Sequence, residues 1–466
     1  MPSRRRHAPS RSAAVAVLSA LVASAALPAC SATPLPTEKP AAPAAAAPAD
    51  TPPTPEVRPT PPAPAAAAPQ RPSVTLTAED RAAFTRWKAD MRAEAQARGL
   101  SARALAALDA AQLQPRVLEL DRSQPEFTQT FWGYLGRAVN DRRVEEGRAL
   151  MQRHADLLAG LEVRYGVPGR FLVAFWGMET NYGSNFGGFP VVDALATLAW
   201  DARRSAFFRN ELLAALRIID GGHIEPQRMV GSWAGAMGHM QFMPTTFAAH
   251  ATDATGDGRI DIWGSLPDAL ASAAKYLSDI GWKRDQTWGR EVSLPPGFDY
   301  SVADGQTRKS LQEWAALGIG RSDGGGPLPV VEGMQATLIL PGGARGPAFL
   351  VYDNFNAIMT WNRSVLYAVA VGHLADRIAG MPPLATPRPT DDRPLSRDEV
   401  MRLQALLNSA GFDAGQPDGL VGSGTRGALR AFQRAAGLPP DGYPTPQVLA
   451  ALEGWGGARG GQTQGQ

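Results

Sequence analysis

The segment from Phe171 to Thr180 reads FLVAFWGMET and constrains the fold more than any other part of the chain, because almost every side chain in it is apolar. Such a run with Pro168 just before it predicts a helix, since proline suits the first turn of a helix. A helix that is apolar on all of its faces has to be surrounded by other elements. We therefore expect this helix at the centre of a mainly helical domain.

One carboxyl group lies at the end of this helix, at Glu179. Leu172, Phe175 and Trp176 lie one or two turns back on the same face and would keep water away from it, which raises the pKa of a carboxyl group. The negative end of the helix dipole acts in the same direction. A carboxyl that is protonated near neutral pH can give its proton to a leaving oxygen, as glycosidic cleavage requires. A glutamate that merely caps a helix or pairs with an arginine is the alternative for this residue taken alone.

The rest of the sequence predicts a mainly α fold of the α+β class. A capping-box pattern at Thr77-Ala-Glu-Asp80 begins the first predicted helix, and a long amphipathic stretch covers residues 142–165. Between 291 and 351 the short runs VSL, ATLIL and AFLVY, separated by Pro/Gly turns, predict a small β lobe. No tandem repeat is evident. We expect one large domain over residues 75–380.

The N-terminal residues have the pattern of a secretory signal, in which arginines precede a short apolar stretch. That stretch ends at Leu27-Pro28-Ala29-Cys30, and Cys30 is the only cysteine of the chain. Its position resembles the lipobox of bacterial lipoproteins. The resemblance implies cleavage after residues 1–29, a lipid on Cys30, and a protein held in the periplasm by an anchor in the outer membrane. A plain signal peptide cut near Ala29 or Ala32 is the alternative.

Three segments of biased composition separate the domains. Residues 30–74 are rich in alanine and proline and predict a disordered tether. The Pro-rich residues 381–394 predict a linker, residues 395–455 a small second domain, and the Gly/Gln-rich residues 456–466 a disordered tail. The net charge of +2, with no basic cluster beyond the first dozen residues, gives no reason to expect a nucleic-acid partner.

A glycine- and methionine-rich loop, GSWAGAMGHMQFMPTTF, covers Gly231 to Phe247. Its small residues let the backbone approach a ligand closely. The hydroxyl of Ser232 and the amide of Gln241 would then hydrogen-bond that ligand. A tight turn filled by methionine side chains is the alternative.

Four segments in the order WGMETNYG, GSWAGAMGHMQFMP, DATGDGRIDIW and NFNAIMTWN, within residues 77–380, resemble the membrane-bound lytic transglycosylase B family. The resemblance implies a goose-lysozyme-like helical catalytic core with a small β lobe and no organic cofactor. It also implies non-hydrolytic cleavage of the MurNAc–GlcNAc β-1,4 bond of peptidoglycan glycan strands, which leaves 1,6-anhydro-MurNAc ends.

The resemblance also implies roles for individual residues. Glu179 is the catalytic acid, which first protonates the glycosidic oxygen and then, as a carboxylate, takes a proton from the O6 hydroxyl of MurNAc. Ser232 and Gln241 contact the sugar and the acid. Trp361 and Asn362 fall on an aromatic-Asn pair, and because some relatives have tyrosine in place of Trp361, stacking on a sugar ring is the role expected here.

This mechanism uses one carboxylate where ordinary glycosidases use two. A hydrolytic muramidase is the main alternative and would need a second carboxylate, for which Asp193, Asp201 and Glu225 are candidates. A non-catalytic scaffold is less favoured, because Glu179 and its two expected loop partners are all present.

Residues Asp253 to Asp261, DATGDGRID, match the first nine positions of an EF-hand loop, with a glycine at the sharp turn. Position 12, normally a glutamate, is Gly264, and Asp268 on the next predicted helix would close the shell. The calcium ligands that this pattern predicts are Asp253, Thr255, Asp257, Arg259, Asp261 and Asp268. Without the glutamate we expect weak, structural calcium binding; a metal-free turn is the alternative.

The second domain contains VMRLQALLNSAGF, PDGLVGSGT and ALRAFQRAAGLPPDG, which resemble the peptidoglycan-binding-domain-one family. That resemblance implies a non-catalytic three-helix module that binds the cell wall. A generic helical bundle is the alternative. The partners expected for the chain are therefore peptidoglycan and, through the lipid anchor, a membrane; the sequence indicates no protein partner.

Overall fold

The computed structural model describes residues 74–122 and 129–460. The predicted signal peptide, Cys30, nearly all of the predicted tether and the end of the predicted tail lie outside these residues. No helix within the described residues is both long enough and apolar enough to cross a membrane.

Before the predicted linker, the described residues form helices, nearly all of which pack around one large core. These are α1 (Ala78–Ala97), α2 (Ala102–Ala110), α3 (Pro115–Arg122), α4 (Phe131–Ala138), α5 (Asp141–Arg153), α6 (Ala155–Tyr165), α7 (Gly169–Thr180), α8 (Val191–Trp200), α9 (Ser205–Asp220), α10 (Pro244–His250), α11 (Leu266–Asp279), α12 (Leu311–Ala316), α13 (Asp353–Trp361) and α14 (Val365–Ile378). The predicted capping box is present, since Thr77 and Asp80 each accept the backbone N–H of the other.

Helix α7 is the apolar helix that the sequence places at the centre, and it packs against α5, α6, α11 and α14. Phe171, Leu172 and Phe175 are completely buried. Burial of a side chain of this size stabilises a fold by about 1.5–3 kcal/mol. The central position of α7 therefore follows from its composition, and the predicted mainly α fold is confirmed.

The long amphipathic stretch over residues 142–165 forms two helices, α5 and α6, which meet at His154. The two contact different neighbours. Gly147 of α5 faces Tyr182 and Ile378, whereas Leu158 of α6 lies against Gly169 at the start of α7. The change of direction at His154 lets each helix reach its own neighbour.

A separate small pair of strands joins β1 (Phe189–Pro190) to β2 (Val230–Gly231). The predicted β lobe is a five-stranded antiparallel sheet made of β3 (Gly289–Ser293), β4 (Arg308–Ser310), β5 (Gly320–Arg321), β6 (Gln335–Ile339) and β7 (Ala348–Val351). The order of these strands in the sheet is β4-β6-β7-β3-β5. Leu338 and Leu350 pair across β6 and β7 and are fully buried with Trp314 of α12 in a core of their own.

The segment after α14 that the sequence predicts as a linker is hydrogen-bonded to the larger domain. The Glu291 carboxylate of β3 accepts the backbone N–H groups of Ala385 and Thr386, at 2.7 and 2.9 Å. Farther along, the Thr130 hydroxyl donates to Asp392 at 2.8 Å. These bonds fix the course of the linker along the larger domain.

The second domain consists of α15 (Arg397–Ser409), α16 (Ser423–Ala435) and α17 (Pro446–Gly460), which enclose a small core. Helix α17 continues into the segment that the sequence predicts as a disordered tail. Its earlier part is anchored by the buried side chains of Val448, Leu449 and Leu452. Once the first turns of a helix have formed, adding each further residue costs little free energy, so α17 extends past Trp455.

Candidate active site

The catalytic candidate Glu179 lies at the C-terminal end of α7, where the chain turns sharply. Asn181 and Tyr182 follow with φ of 48° and 60°, a left-handed conformation that is rare for residues other than glycine. The turn brings the Tyr182 ring back under α7, where a Cβ at Gly177 would lie 2.7 Å from it. The Tyr182 hydroxyl donates to the Arg143 carbonyl at 2.7 Å. The glycine of the WGMET segment thus permits the turn that ends the catalytic helix.

The Glu179 carboxyl group receives two hydrogen bonds on one oxygen. The indole N–H of Trp361 donates to Oε1 at 2.9 Å, and the Tyr367 hydroxyl donates to the same atom. Burial raises the pKa of Glu179 to about 7, although both hydrogen bonds act against that rise. Because Oε1 is engaged by two donors, the acid proton belongs on Oε2. The side chain remains partly exposed, so this proton can be exchanged.

Trp361, for which the sequence predicts stacking on a sugar, lies among aromatic side chains and is partly exposed. Its ring packs on Phe175 at 4.4 Å between centroids, on Tyr276 at 5.1 Å and on Phe242 at 5.4 Å. The indole N–H is directed to Glu179 and is placed to orient this carboxyl group. Stacking of the ring on a sugar stays a prediction.

Two tyrosines near Glu179 were not identified from the sequence. Tyr367 on α14 is buried, and its pKa is raised well above 10 by burial first and by the Glu179 charge second. Tyr134 on α4 is half-buried, and the pKa of this phenol is likewise raised by burial and then by Glu179. The only sequence signal is the position of Tyr367, five residues after Asn362 in the segment WNRSVLY.

The loop from Gly231 to Phe242 is fastened to the end of α7 by His239. Its Nδ1 accepts the indole N–H of Trp176 at 3.0 Å, and its backbone carbonyl accepts the Thr180 hydroxyl at 2.9 Å. Burial lowers the pKa of His239, which keeps Nδ1 an acceptor. These contacts place the loop beside the turn that follows Glu179.

Ser232 and Gln241 both lie on this loop and are half-buried. The Ser232 hydroxyl accepts the backbone N–H of Ala236 at 3.1 Å, which closes the loop on itself. Gln241 has φ of 47°, and its Nε2 donates to the carbonyls of Phe186 and Gly238 at 3.3 and 3.2 Å. The left-handed backbone and the two bonds fix the side-chain amide in one orientation. Asn362 follows Trp361 directly, and its side chain is exposed.

The three alternative carboxylates are engaged in structural contacts. Asp193 accepts the side-chain amide of Gln114 at 2.8 Å, Asp201 pairs with Arg122 at 3.2 Å, and Glu225 pairs with Arg103 at 2.8 Å. Over residues 74–122 and 129–460, the groups that shift the pKa of Glu179 are its two hydrogen-bond donors, and a second carboxylate is not among them. The arrangement therefore has one acid with neutral donors around it.

The carboxylates of the EF-hand-like loop accept hydrogen bonds from the backbone of the loop itself. Asp253 accepts the N–H groups of Gly256 and Gly258, at 2.6 and 2.8 Å, and these bonds lower the pKa of its carboxyl group. Asp268, which is 1% exposed, accepts Ala254 N–H and Asp261 N–H, each at 2.9 Å. In the part of the chain that the structure describes, no three histidine, cysteine or acidic side chains are grouped as a metal site would need.

Two protein-family models match the chain. The transglycosylase SLT domain matches residues 83–376, and the putative peptidoglycan binding domain matches residues 396–452. The first match covers most of the chain and includes Glu179, Ser232, Gln241 and Trp361. The second coincides with the helices α15 to α17.

Individual relatives agree with these matches. The membrane-bound lytic murein transglycosylase B of Escherichia coli is 33% identical over 253 residues, which make up 53% of this chain and 66% of that protein. The structure of SltB3 from Pseudomonas aeruginosa in complex with NAG-anhNAM-pentapeptide is 48% identical, with a TM-score of 0.75, and covers 79% of this chain and 99% of that one. The E. coli lytic transglycosylase Slt35 in complex with calcium is 28% identical, with a TM-score of 0.55, over 63% of this chain and 92% of that one.

Proposed function

Because the chain belongs to the family of lytic transglycosylases defined by the transglycosylase SLT domain, we propose that it cleaves the MurNAc–GlcNAc β-1,4 bond of peptidoglycan and leaves 1,6-anhydro-MurNAc ends. The observation that carries the proposal is the environment of Glu179. Its pKa is about 7, its hydrogen-bond partners are neutral, and its pKa responds to no second carboxylate among the described residues. A single group of this kind can serve as both acid and base.

The first half of the reaction uses the protonated form. The proton on Oε2 of Glu179 passes to the glycosidic oxygen, the bond from C1 of MurNAc to that oxygen breaks, and GlcNAc leaves with a free hydroxyl. Positive charge develops on the MurNAc ring as in other glycosidic cleavages. The carboxylate that forms is stabilised by the hydrogen bonds from Trp361 and Tyr367 to Oε1.

The second half returns the enzyme to its starting state. The Glu179 carboxylate takes the proton of the O6 hydroxyl of MurNAc, and O6 forms a bond to C1. The 1,6-anhydro ring closes, no water is consumed, and Glu179 is protonated again. A pKa near 7 suits both steps, because it lies close to the pH at which the proton has to be given and recovered.

Five residues are assigned supporting roles in this proposal. Trp361 and Tyr367 hold the acid by their hydrogen bonds to it. Ser232, Gln241 and the exposed Asn362 are the residues proposed to contact the sugar. The support for the first two is the fixed loop on which they lie, fastened to α7 through His239.

Product analysis tests the proposal directly. Purified sacculi are digested in water enriched in ¹⁸O, and the products are identified by mass spectrometry. We expect unlabelled anhydro ends from the wild type and a loss of roughly 10²–10⁴-fold in rate for Glu179→Gln, the usual contribution of general acid–base catalysis. Glu145→Gln, an equivalent change at an exposed glutamate of α5, should keep the wild-type rate. Labelled reducing ends would show a hydrolytic muramidase instead.

The substrate places the enzyme in the periplasm or at the cell wall. We further propose that residues 1–29 are removed and that Cys30 carries a lipid which anchors the protein in the outer membrane. The support is the lipobox-like position of the only cysteine in the chain. Wild type in the membrane fraction and Cys30→Ala in the soluble fraction are the expected results; soluble wild type would contradict the anchor.

Weak calcium binding at the EF-hand-like loop is a separate proposal. It is supported by the oxygen side chains at Asp253, Asp257 and Asp261 and by the calcium complex of Slt35. The carboxylates as arranged do not converge, so an ion would have to displace some of their backbone partners, and we expect low affinity. Calcium should raise the melting temperature relative to chelator in wild type but not in Asp257→Asn. Equal melting temperatures for wild type would argue against the site.

A further inference from the structure

The C-terminal module contains one turn built around an Asp-Gly pair that follows α15. The side chain of Gln404 reaches across to it, so that Nε2 donates to Oδ1 of Asp418 at 3.0 Å and Oε1 accepts the N–H of Gly419 at 3.0 Å. The N–H of Leu420 donates to the same Asp418 oxygen at 2.8 Å. Helix α16 begins a few residues later. A buried glutamine thus fixes the turn and engages Oδ1 of the aspartate.

The same construction occurs a second time between α16 and α17. Gln433 Nε2 donates to Oδ1 of Asp441 at 2.7 Å, and its Oε1 accepts the N–H of Gly442 at 2.8 Å. The N–H of Tyr443 donates to Asp441 Oδ1 at 2.8 Å. The two glycines share a left-handed conformation, with φ of 77° in the first turn and 71° in the second. The module is therefore an internal duplication, in which Asp418 corresponds to Asp441 and Leu420 to Tyr443.

The second turn binds a segment of the larger domain. Oδ2 of Asp441 accepts the backbone N–H of Ala344, in the turn between β6 and β7, at 2.7 Å. The preceding Gly343 lies so close that a Cβ there would be 2.7 Å from Cβ of Tyr443. The Tyr443 hydroxyl accepts the backbone N–H of Phe131 at 3.4 Å. Oδ2 of Asp441 thus binds a backbone amide, and the side chain of Tyr443 packs against the residue that precedes this amide.

The first turn has the same parts without such an occupant in the described residues. It borders a cavity of about 450 Å³ whose lining includes Gln404, Gln416, Asp418, Leu420 and Thr425. Leu420 is 51% exposed, whereas Tyr443, its counterpart, is half-buried. Asp418 is bound through Oδ1 in the same way as Asp441, so its Oδ2 corresponds to the oxygen that accepts Ala344 N–H.

We propose that the Asp418 turn is the site at which the module binds the wall, and that it takes a secondary amide whose N–H donates to Asp418 Oδ2 while an adjoining small apolar group contacts Leu420. The inference rests on the proposed peptidoglycan substrate and on the match to the peptidoglycan binding domain. Peptidoglycan offers such amides from two sources, the acetamido groups of its sugars and the peptide bonds of its stems. The site is defined by the chemistry that both share.

The charge state of Asp418 is consistent with this function. The hydrogen bonds from Gln404 and Leu420 lower the pKa of its carboxyl group, so it is ionised at neutral pH and can only accept. A hydrogen bond to a charged acceptor is stronger than one between neutral groups. Removing it should therefore weaken binding by about tenfold or more.

Sedimentation with purified sacculi tests the site, with the full chain carrying Glu179→Gln so that the wall is not digested. Asp418→Asn keeps the Oδ1 acceptor that Gln404 and Leu420 hydrogen-bond, and it replaces the Oδ2 acceptor by an NH₂ group, which donates. We expect about a tenfold loss of affinity for this variant. Asp441→Asn makes the same change in the second turn and should retain affinity within about threefold. Equal affinities for the two variants would overturn the proposal.

A second variant covers the case in which Asp418→Asn does not fold. Leu420→Ala removes a largely exposed side chain and leaves the core of the module intact, and it should lose affinity by roughly three- to tenfold. Unchanged binding by this variant would also overturn the site. In either case the anhydro products of the enzyme with Glu179 are measured separately, so a failure here is distinguishable from a failure of the proposed reaction.

Competition identifies the source of the amide. A chitin oligosaccharide supplies acetamido groups without peptide, and a free stem peptide supplies peptide bonds without sugar. The one that displaces the Glu179→Gln protein from sacculi, and does so less in Asp418→Asn, carries the group that the turn binds. If neither competes, the assignment of a secondary amide is wrong.

Discussion

The helix pair α7 and α14 has a carboxyl group at each end, and the two have opposite surroundings. At one end, Glu179 accepts hydrogen bonds from the indole of Trp361 and the hydroxyl of Tyr367. At the other, Asp376 accepts the indole N–H of Trp288 at 2.9 Å and the guanidinium of Arg290 at 3.3 Å. Both sites therefore pair a carboxylate with a tryptophan, and they differ in whether a cation is added.

That difference distinguishes the proposed acid from a carboxylate in an ion pair. Burial raises the pKa at both sites, and at Asp376 the Arg290 charge is the largest influence that opposes it. The pKa of Asp376 is nevertheless raised overall, so the cation offsets part of the effect of burial without reversing it. Among the described residues the donors to Glu179 are both neutral, and they oppose the effect of burial without adding a charge. Burial alone would not distinguish the two residues; the partner does.

The largest effect predicted from this comparison is on stability. The pKa of Glu179 is about 7 in the folded chain and near 4.5 when unfolded, so the folded state loses stability as the pH rises from 4.5 through 7. Glu179→Gln stays neutral and escapes this loss. We expect its free energy of unfolding to exceed that of wild type by up to about 3 kcal/mol at pH 8, with little difference at pH 4.5, in urea denaturation.

Asp376→Asn is the matched control for that measurement. Burial also raises the pKa of Asp376, but this substitution leaves Arg290 without its carboxylate, so any gain in the free energy of unfolding at pH 8 should be smaller than that of Glu179→Gln. If Glu179→Gln were the less stable protein at pH 8, the interpretation of Glu179 as a strained, functional carboxyl would be wrong.

A smaller loss of stability is expected at the other end of the helix pair. Arg290→Gln leaves Asp376, which is only 7% exposed, without its cation. Because Arg290 itself is partly exposed, we expect a cost of about 1–2 kcal/mol rather than the larger value of a fully buried pair. Activity per folded molecule should not change, since Arg290 is far along the helix pair from Glu179. Urea denaturation and turnover of sacculi measure the two quantities.

A surface pair gives the comparison for this substitution. Arg308 pairs with Asp353 at 2.8 Å, and both side chains are well exposed. Arg308→Gln should cost less than about 1 kcal/mol. Equal losses for the two arginine variants would mean that the buried carboxylate at Asp376 does not depend on its cation.

The sequence singled out Glu179 but not the residues that bind its carboxyl group. Glu179 could be identified because its apolar neighbours lie on the same helix, within two turns. Trp361 and Tyr367 are 182 and 188 residues away, and their contact with Glu179 depends on how α13 and α14 pack on α7. The motif around Trp361 indicates an aromatic residue, but it does not indicate where the N–H of that residue is directed.

The fold of the large domain could be predicted from the sequence more fully than the details of the second domain. Apolar α7, the capping box and the short β runs were enough to predict the mainly α core with its β lobe. The duplication in the module was missed, because Gln404 and Asp418 are 14 residues apart whereas Gln433 and Asp441 are 8 apart. Unequal spacing hides a repeat in sequence, while the shared hydrogen bonds show it in three dimensions.

The smallest predicted effect concerns the pH profile and sharpens the contrast between neutral and charged partners. Tyr367→Phe removes a donor that lowers the pKa of Glu179, so that pKa should rise above 7 by up to about one unit. Since the reaction begins with protonated Glu179, kcat/KM falls as the pH exceeds this pKa, and the alkaline limb of the profile should move upward. Below pH 7 the rate should drop about three- to tenfold, because the carboxylate formed in the first step has lost a donor.

Tyr276→Phe is the control for this profile. The Tyr276 ring packs on Trp361 at 5.1 Å, and its hydroxyl makes no hydrogen bond with Glu179 in the described structure. Its alkaline limb should coincide with that of wild type. If Tyr367→Phe left the limb in place, or moved it downward, the hydroxyl would not be stabilising the charged form of Glu179. The acid would then depend on Trp361 alone, and the environment of Glu179 would differ from that of Asp376 only by the missing cation.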